Sequence, residues 1–236
     1  IGAYDGSAQP ALRVNTGSKL TAVGSGALSG NTTASFNTAV GYKCLGSNTT
    51  GQLNNALGYQ ALVTNTTGDQ NTAVGHQALY SNSTADNNTA MGYDALEANT
   101  TGTQNTAIGA LALNDNTTAD NNTAIGYNAL FANTTGTYNI AVGSHALDAN
   151  TTANNNIAVG YNAMTANTTG ASNTALGSSA LTASNGSSNV AVGDVSLYAN
   201  TTGSNNTAVG TYSLYSNTTA SNNTAVGYDA LGDCTT

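Results

Sequence analysis

The stretch NTAIGYNAL, residues 122–130, decides the fold because close copies of it recur along nearly the whole chain. Its glycine, Gly126, belongs to a column of 13 glycines spaced 17 residues apart, with one interval of 16 between Gly177 and Gly193. A period this short and regular is typical of a solenoid, in which each copy forms one turn and contacts only its neighbours. The other members of this glycine column are Gly24, Gly41, Gly58, Gly75, Gly92, Gly109, Gly143, Gly160, Gly210 and Gly227.

The apolar residues fall into columns when the copies are aligned on this glycine. An alanine stands two places before the glycine in all 13 copies. Val, Ile, Leu or Met stands directly before the glycine, and Leu stands four places after it except at Met164. We interpret the last two columns as the core of the protein, with the representative members Val74, Leu79, Ile125, Leu130, Val226 and Leu231.

Each copy predicts two short extended segments, N-T-A-V-G and Y-x-A-L, joined by an N-T-T turn. The β-branched residues together with Gly, Asn and Thr disfavour a helix, whereas Asn and Gly favour turns. The sequence therefore predicts an all-β protein, a parallel β-solenoid of 13 rungs of about 17 residues, stacked about 4.8 Å apart. Asn stands four places before the glycine in 12 of the 13 copies, and stacked asparagines can form amide ladders.

We assign residues 20–236 to the solenoid and residues 1–19 to a separate N-terminal segment, which lies outside the repeat. This segment could cap the first rung, tether it to another domain or insert into a neighbouring subunit. The chain begins with Ile1 rather than Met, which favours a processed or partial product.

The charge pattern argues against two classes of partner. The formal net charge is −8, and the only basic residues are Arg13, Lys19 and Lys43. Nucleic acids are bound through Lys and Arg, and anionic membrane surfaces also attract basic segments. No apolar run approaches the roughly 18 residues of a membrane span. The acidity either serves solubility or lets a basic leading end meet an acidic trailing end in head-to-tail stacking.

The predicted core is thin. One Val-type and one Leu-type residue per rung contribute roughly 3–6 kcal/mol when buried, whereas ordering each backbone residue costs about 1–2 kcal/mol. Burial against other copies would offset this cost, so we expect self-association as a homotrimer or a head-to-tail filament. A monomeric solenoid is the alternative.

A second period is superimposed on the first. Tyr93, Tyr127, Tyr161 and Tyr228 follow the glycine and largely alternate with small residues there. This stripe is either an inter-chain seam or an exposed record of duplication. The small residues are Ala110, Ser144, Ser178 and Thr211.

The repeated string resembles two groups of surface proteins. Residues 71–79 (NTAVGHQAL) and 223–231 (NTAVGYDAL) are similar to repeats in the head domain of trimeric autotransporter adhesins, whose short motif contains A-I-G-x-x-A. They look still more like the N-T-A-V-G-Y-x-A-L repeats of phage tail-fibre proteins. The resemblance covers about residues 20–231 and implies a left-handed, usually trimeric β-roll outside the cell. The rung here is longer than the typical adhesin rung.

No arrangement of residues points to catalysis, a cofactor or a metal. His76 and His145 lie in different copies, and the acidic residues scatter among variable positions. We therefore expect no enzyme, no cofactor and no metal site. Cys44 occupies an alanine position and Cys234 an asparagine position, too far apart in a solenoid for a disulfide.

The repeated surface has two candidate properties, N-glycosylation and ice binding. Sixteen asparagines fit the N-glycosylation pattern, and those of the N-T-T turn are candidate acceptors if the turn is exposed. The alternative is that Asn-Thr recurs because it forms good turns and was copied with the rung. The representative candidates are Asn48, Asn65, Asn99, Asn133, Asn167 and Asn200. A column of threonines three places before the glycine also suggests ice binding, although Asn55, Ile140, Ile157 and Val190 interrupt it.

We expect an extracellular or virion fibre protein that forms a rigid shaft, filament or adhesive head. Its partners would be further copies of itself, and a host-surface receptor or glycan could be bound along the rod with gain from many weak contacts. The alternative is a discrete solenoid that binds ice or glycans.

Overall fold

The computed structural model describes residues 12–235, which form fourteen short β-strands and, within that range, no helix. The chain divides into two compact units at Ala119 and Asp120. The predicted parallel β-solenoid is confirmed, with about 12 turns of about 17 residues. The first unit contains β1 (Leu12–Asn15), β2 (Leu20–Val23), β3 (Thr38–Val40), β4 (Asn55–Leu57), β5 (Thr72–Val74), β6 (Thr89–Met91) and β7 (Thr106–Ile108); the second contains β8 (Thr123–Ile125), β9 (Ile140–Val142), β10 (Ile157–Val159), β11 (Thr174–Leu176), β12 (Val190–Val192), β13 (Thr207–Val209) and β14 (Thr224–Val226).

Within each unit the three-residue strands stack in parallel and in register. Ala56 of β4 pairs with Ala73 of β5, and Ala158 of β10 pairs with Ala175 of β11. Every rung therefore places equivalent residues above one another, which is what a constant repeat length requires.

The first strand is the exception to the parallel arrangement. β1 runs antiparallel to β2, with Leu12 opposite Val23. Asn15 closes the turn between them, because its Oδ1 accepts hydrogen bonds from the backbone N–H groups of Gly17 (3.0 Å) and Ser18 (3.1 Å). Residues 12–15 thus cover the edge of β2, while the alternatives for residues 1–11 lie outside the described part of the chain.

The interior contains the alanines and the Leu column, but not the column directly before the glycine. Leu79 and Leu130 are fully buried, as predicted. The assignment of the other column to the core is wrong: Val74 is only half-buried, Ile125 is 37% exposed and Val226 is 69% exposed. Successive residues of a strand point to opposite faces, so the buried alanine between them turns both of its neighbours outward.

Leu231 also departs from the predicted core and is 51% exposed. It belongs to the last turn of the described chain, where no following turn lies over its side chain. Its equivalents inside the stack, such as Leu214 and Leu197, are fully buried. The difference shows that each leucine is buried by the turn that follows it as well as by its own.

The second predicted extended segment, Y-x-A-L, is wrong: it forms consecutive turns. Its second and fourth residues adopt left-handed backbone, as at Asn128 (φ 53°) and Leu130 (φ 54°), and a third left-handed residue follows at Tyr138 (φ 58°). Left-handed backbone costs roughly 1–2 kcal/mol for an ordinary residue. The hydrogen bonds between stacked turns hold these conformations; for example, Leu130 N–H donates to Ala146 O at 2.9 Å.

The glycine column is required by the close approach of successive turns. Gly58 has a φ of 145°, and a Cβ added to it would lie 2.1 Å from the carbonyl oxygen of Gly75. No other residue fits this gap, which explains why the glycine recurs in every copy.

The single 16-residue interval is accommodated in the turn of residues 184–188. In ordinary rungs a backbone carbonyl accepts two N–H bonds from the preceding turn, as Thr151 O does from Thr134 (3.0 Å) and Thr135 (3.2 Å). In the short rung the side-chain Oδ1 of Asn185 accepts the equivalent bonds from Thr168 N (2.8 Å) and Thr169 N (3.2 Å). The side-chain amide thus replaces the missing residue's carbonyl.

The left-handed positions predict an unusual stabilising substitution. Leu53 is 48% exposed with a φ of 58°, and other copies carry asparagine at the equivalent place, as at Asn87 (φ 60°). Because asparagine tolerates left-handed backbone better than leucine, Leu53→Asn should raise the free energy of unfolding by about 1 kcal/mol. Chemical denaturation would measure this difference.

Leu62→Asn is the matched control. Leu62 has a similar φ of 51° but is fully buried, so its loss should destabilise the protein by roughly 2–5 kcal/mol. If both variants lower the stability, the left-handed backbone of Leu53 does not decide the effect of its substitution.

Candidate functional surface

The outward side chains of the strands form one continuous surface in each unit, which we call the sheet face. It consists of two columns, the residue directly before the glycine and the residue two places before that one. In the second unit half of its ten apolar members are 37–39% exposed, namely Ile125, Ile140, Ile157, Val159 and Leu176. The first unit adds Val23, Leu57, Met91 and Ile108, which are 37–50% exposed.

The sheet face is free of charge. Strands β2–β14 contain no Asp, Glu, Lys, Arg or His, although their outward side chains are accessible. The charged residues that follow β1 in the described chain lie on the turns instead, as at Asp69, Asp86 and Asp148. A contiguous exposed apolar surface on a protein of low charge indicates an interaction surface.

A stack of aromatic rings runs beside the sheet face in the first unit, and we call it the aromatic ladder. It contains Tyr42, Tyr59, His76 and Tyr93, each directly after a glycine of the repeat. Successive ring centroids are 5.4, 5.2 and 5.0 Å apart and the rings are nearly parallel, with interplanar angles of 16°, 8° and 10°. In the second unit the same column alternates Tyr127 and Tyr161 with small residues, so no such continuous stack forms.

Both histidines have a carboxylate partner. His76 Nδ1 lies 3.0 Å from Asp94 Oδ1, and His145 Nδ1 lies 3.0 Å from Asp148 Oδ2. Asp94 also lies beside the Tyr93 phenol, whose pKa is raised by the charge of Asp94 and by a hydrogen bond with it.

Burial raises the pKa of one carboxyl group and of one thiol. Burial and the neighbouring carboxylates of Asp94 and Asp115 raise the pKa of Glu97. Neither Cys44 nor Cys234 forms a disulfide, and burial raises the pKa of the Cys44 thiol to about 11. A thiol of that pKa stays protonated and unreactive at neutral pH.

Residues 12–235 contain no group of three or more His, Cys, Asp or Glu side chains that could hold a metal ion. The first unit has a shallow depression of about 250 Å³ beside the Lys43 side chain. Its walls are short side chains and backbone, which offer few directional contacts to a ligand. They are Gly26, Ser29, Gly46, Ser47 and Val63.

The asparagines occupy two buried ladders inside each unit. In the strand ladder, four places before the glycine, Asn71 Oδ1 accepts from Asn88 N (3.0 Å) and Asn71 Nδ2 donates to Ala85 O (2.8 Å). In the turn ladder, formed by the N-T-T asparagines, Asn65 Nδ2 donates both to Asn48 Oδ1 (2.9 Å) and to Gly68 O (3.0 Å). The predicted amide ladders are therefore present, and they lie in the interior.

The predicted exposure of the candidate glycosylation sites is wrong for the same reason. Asn48, Asn65, Asn99, Asn133, Asn167 and Asn200 are all fully buried. N-glycosylation would replace an Nδ2 hydrogen that the ladder uses and would place a sugar inside the solenoid. Sequence reasoning missed one signal of this burial. An asparagine that recurs in almost every copy indicates a side chain with fixed hydrogen bonds, whereas an exposed turn would vary in sequence.

No protein-family model, no curated protein and no solved structure matches this chain. In the part of the chain that the structure describes, no helix has the length and apolar character needed to cross a membrane.

The strand ladder predicts a strong effect of a nearly isosteric change. Asn71→Asp replaces the Nδ2 donor with an oxygen that faces the carbonyl oxygen of Ala85, and it buries a carboxylate. An uncompensated buried polar group costs roughly 1–3 kcal/mol, and more when it is charged. We expect at least this loss in the free energy of unfolding at neutral pH, and a smaller loss in acid, where a protonated carboxyl can donate to Ala85.

Asn87→Asp is the matched control: it makes the same chemical change at an exposed position, and so tests whether burial causes the loss of stability. Asn87 lies on the exposed turn of the same rung, so its variant should change the stability by less than about 0.5 kcal/mol. Equal effects of the two substitutions in thermal or urea unfolding would contradict the buried ladder.

The buried turn ladder also predicts how the chain responds to N-glycosylation. Ten of the sixteen glycosylation patterns have a fully buried asparagine, so glycans added to the unfolded chain should prevent stacking. Expression through a eukaryotic secretory pathway should yield folded protein only when glycan transfer is inhibited, as judged by secretion yield and intact mass. Asn87→Gln, which removes an exposed pattern, should not restore secretion. Folded protein carrying a glycan on Asn65 would refute the prediction.

Proposed function

We propose that this protein is a non-catalytic structural subunit of a fibre or adhesive appendage, assembled as a homo-oligomer through the sheet face. The observation that carries the proposal is that the sheet face is free of charge in every parallel strand and carries a column of apolar side chains, many of which are more than a third exposed. An extracellular or virion location rests on the resemblance of the repeats to those of surface fibres, and so does contact with a host receptor or glycan.

Burial of the sheet face would supply the stability that the narrow interior lacks. The interior holds one leucine and small side chains per turn, while valine, isoleucine and leucine side chains remain outside. Full burial of such a side chain is worth roughly 1.5–3 kcal/mol. The second unit has seven side chains in the column directly before the glycine, one for each strand. Covering their exposed parts would therefore contribute several kcal/mol per subunit to the stability of the oligomer.

A second copy is the partner that fits the sheet face best. The face is periodic, with one Thr-type and one Val-type side chain about every 4.8 Å, and another copy has the same period. The side chains of two or three copies can therefore interdigitate along the whole length of a unit, as in a dry interface between paired sheets. Side-by-side association around a central axis, as in a trimer, satisfies this geometry.

End-on stacking of a second copy is less favoured at the β2 edge of the sheet. β1 lies against β2 and occupies its backbone hydrogen-bonding groups. A neighbouring copy could stack on β2 only after β1 moved away. This arrangement supports the trimer over the head-to-tail filament.

A discrete ligand-binding solenoid is the second candidate. The observation in its favour is that the threonine column points outward beside the Val column, giving a flat, regular array of methyl and hydroxyl groups, as at Thr174 and Leu176. Such an array could order water at an ice surface if it were not covered by another copy. Thermal hysteresis from a monomeric protein would replace our proposal with this one.

Charges placed on the sheet face should dissociate the oligomer. Ile157 and Val159 of β10 are 37% and 38% exposed, so the double variant Ile157→Lys/Val159→Lys leaves the interior intact but buries two charges in any interface. We expect the wild type to sediment as an oligomer and the variant as a monomer, with unchanged far-ultraviolet circular dichroism.

Thr152→Lys is the matched control, because Thr152 is exposed on a turn near β10 and should leave the oligomer unchanged. A wild type that is monomeric at micromolar concentration would overturn the proposed assembly. An oligomer that survives the double substitution would show that a different surface joins the copies.

A further inference from the structure

The aromatic ladder places two exposed tyrosines face to face on successive turns. Tyr42 and Tyr59 are 43% and 48% exposed, with ring centroids 5.4 Å apart and an angle of 16° between the rings. They lie 17 residues apart in the sequence. The contact is therefore built by the stacking of the rungs and is absent from the unfolded chain.

The outer faces of this pair are both covered. The Lys43 ammonium lies 5.4 Å from the centroid of the Tyr42 ring. The His76 ring stacks on the other face of Tyr59 at 5.2 Å. Each tyrosine is thus held against the other, while the ring edges stay accessible to solvent.

The same arrangement recurs in the second unit. Tyr198 and Tyr215 stack with centroids 5.4 Å apart and an interplanar angle of 9°. Tyr161 is different: it is 58% exposed, and its neighbours in the column, Ser144 and Ser178, carry no ring. The chain therefore offers paired and unpaired tyrosines of comparable accessibility.

Paired phenols are suited to oxidative coupling. A one-electron oxidant removes an electron from each phenol, and each hydroxyl proton passes to water. The two phenoxyl radicals carry spin on their ortho carbons, where a carbon–carbon bond forms. The two ortho hydrogens then move to the phenol oxygens, so the pair has lost two electrons and two protons in total. Hydrogen peroxide, used by a haem peroxidase, accepts them and becomes two molecules of water.

We propose that Tyr42 and Tyr59 are a site of oxidative cross-linking, at which an oxidant of the peroxidase class joins neighbouring turns of one chain through a dityrosine bond. Stacking supplies the high local concentration of the second ring, and solvent exposure lets the rings turn until their edges meet. The bond closes a short loop and restricts the unfolded chain, as a disulfide does. The proposal does not depend on how copies of the chain assemble.

The chain provides convenient cleavage points for a direct test. Horseradish peroxidase and hydrogen peroxide would be added to the folded protein at low concentration, followed by denaturation and digestion after lysine and before aspartate. Cleavage at Lys43 and Asp69 separates peptide 20–43, whose only tyrosine is Tyr42, from peptide 44–68, whose only tyrosine is Tyr59. We expect a joined peptide whose mass is the sum of the two less two hydrogen atoms, with a yield that does not fall on dilution.

Two variants and one control decide the interpretation. Tyr59→Phe keeps the stacked ring but should abolish the joined peptide, whereas Tyr161→Phe should leave its yield unchanged. Oxidation of the urea-unfolded wild type should lower the yield at least tenfold. Equal yields from folded and unfolded protein, or coupling only between different chains, would overturn the proposal.

Discussion

The turns of this protein are joined to one another by hydrogen bonds from each turn to the turns beside it, in addition to the short bonds inside each turn. The backbone N–H of Leu79 donates to Ala95 O at 3.1 Å, and that of Asn88 donates to the side chain of Asn71 at 3.0 Å. These bonds exist only if equivalent residues of successive turns lie in register, which a repeat of nearly constant length provides. The constant period, the glycine column and the two asparagine ladders all follow from this one requirement.

The same requirement explains how a chain with a thin apolar core can be ordered. Large side chains are divided between two locations: leucine lies inside, while valine and isoleucine lie on the sheet face. The space between opposite walls is filled by alanine and by asparagine amides that are hydrogen-bonded to both the backbone and one another, as at Asn65. A buried amide of this kind stabilises a structure only when all its partners are present. Repetition supplies these partners inside the stack, whereas Asn31 Oδ1 and Asn217 Oδ1, near its ends, have no hydrogen-bond partner.

The period was sufficient to predict the class of fold, because only stacking of identical turns accounts for columns such as Leu79 and Leu130. The hydrophobicity of the Val column led to the wrong prediction that its side chains point into the core. An alanine at every copy was the better guide, since it marks the place where the opposite wall is too close for a larger residue. The left-handed leucines could not be predicted from propensity, because tertiary hydrogen bonds override the local preference of a residue such as Leu130. The sheet face could not be predicted from the sequence, because residues such as Ile125 and Val226 were assigned to the core and are exposed in the structure.

The short rung at Asn185 shows where the length of a turn can change. One residue is missing there, yet the preceding turn keeps its hydrogen bonds because an amide side chain supplies the carbonyl. Loss of a residue within a strand would instead turn the following side chains of that strand to the opposite face. The N-T-T turn is therefore the part of each rung that best tolerates insertions and deletions. Foreign peptides grafted beside the exposed second threonine of this turn, as at Thr67 or Thr101, would project outward at a defined level, making the protein a molecular scaffold with addressable positions.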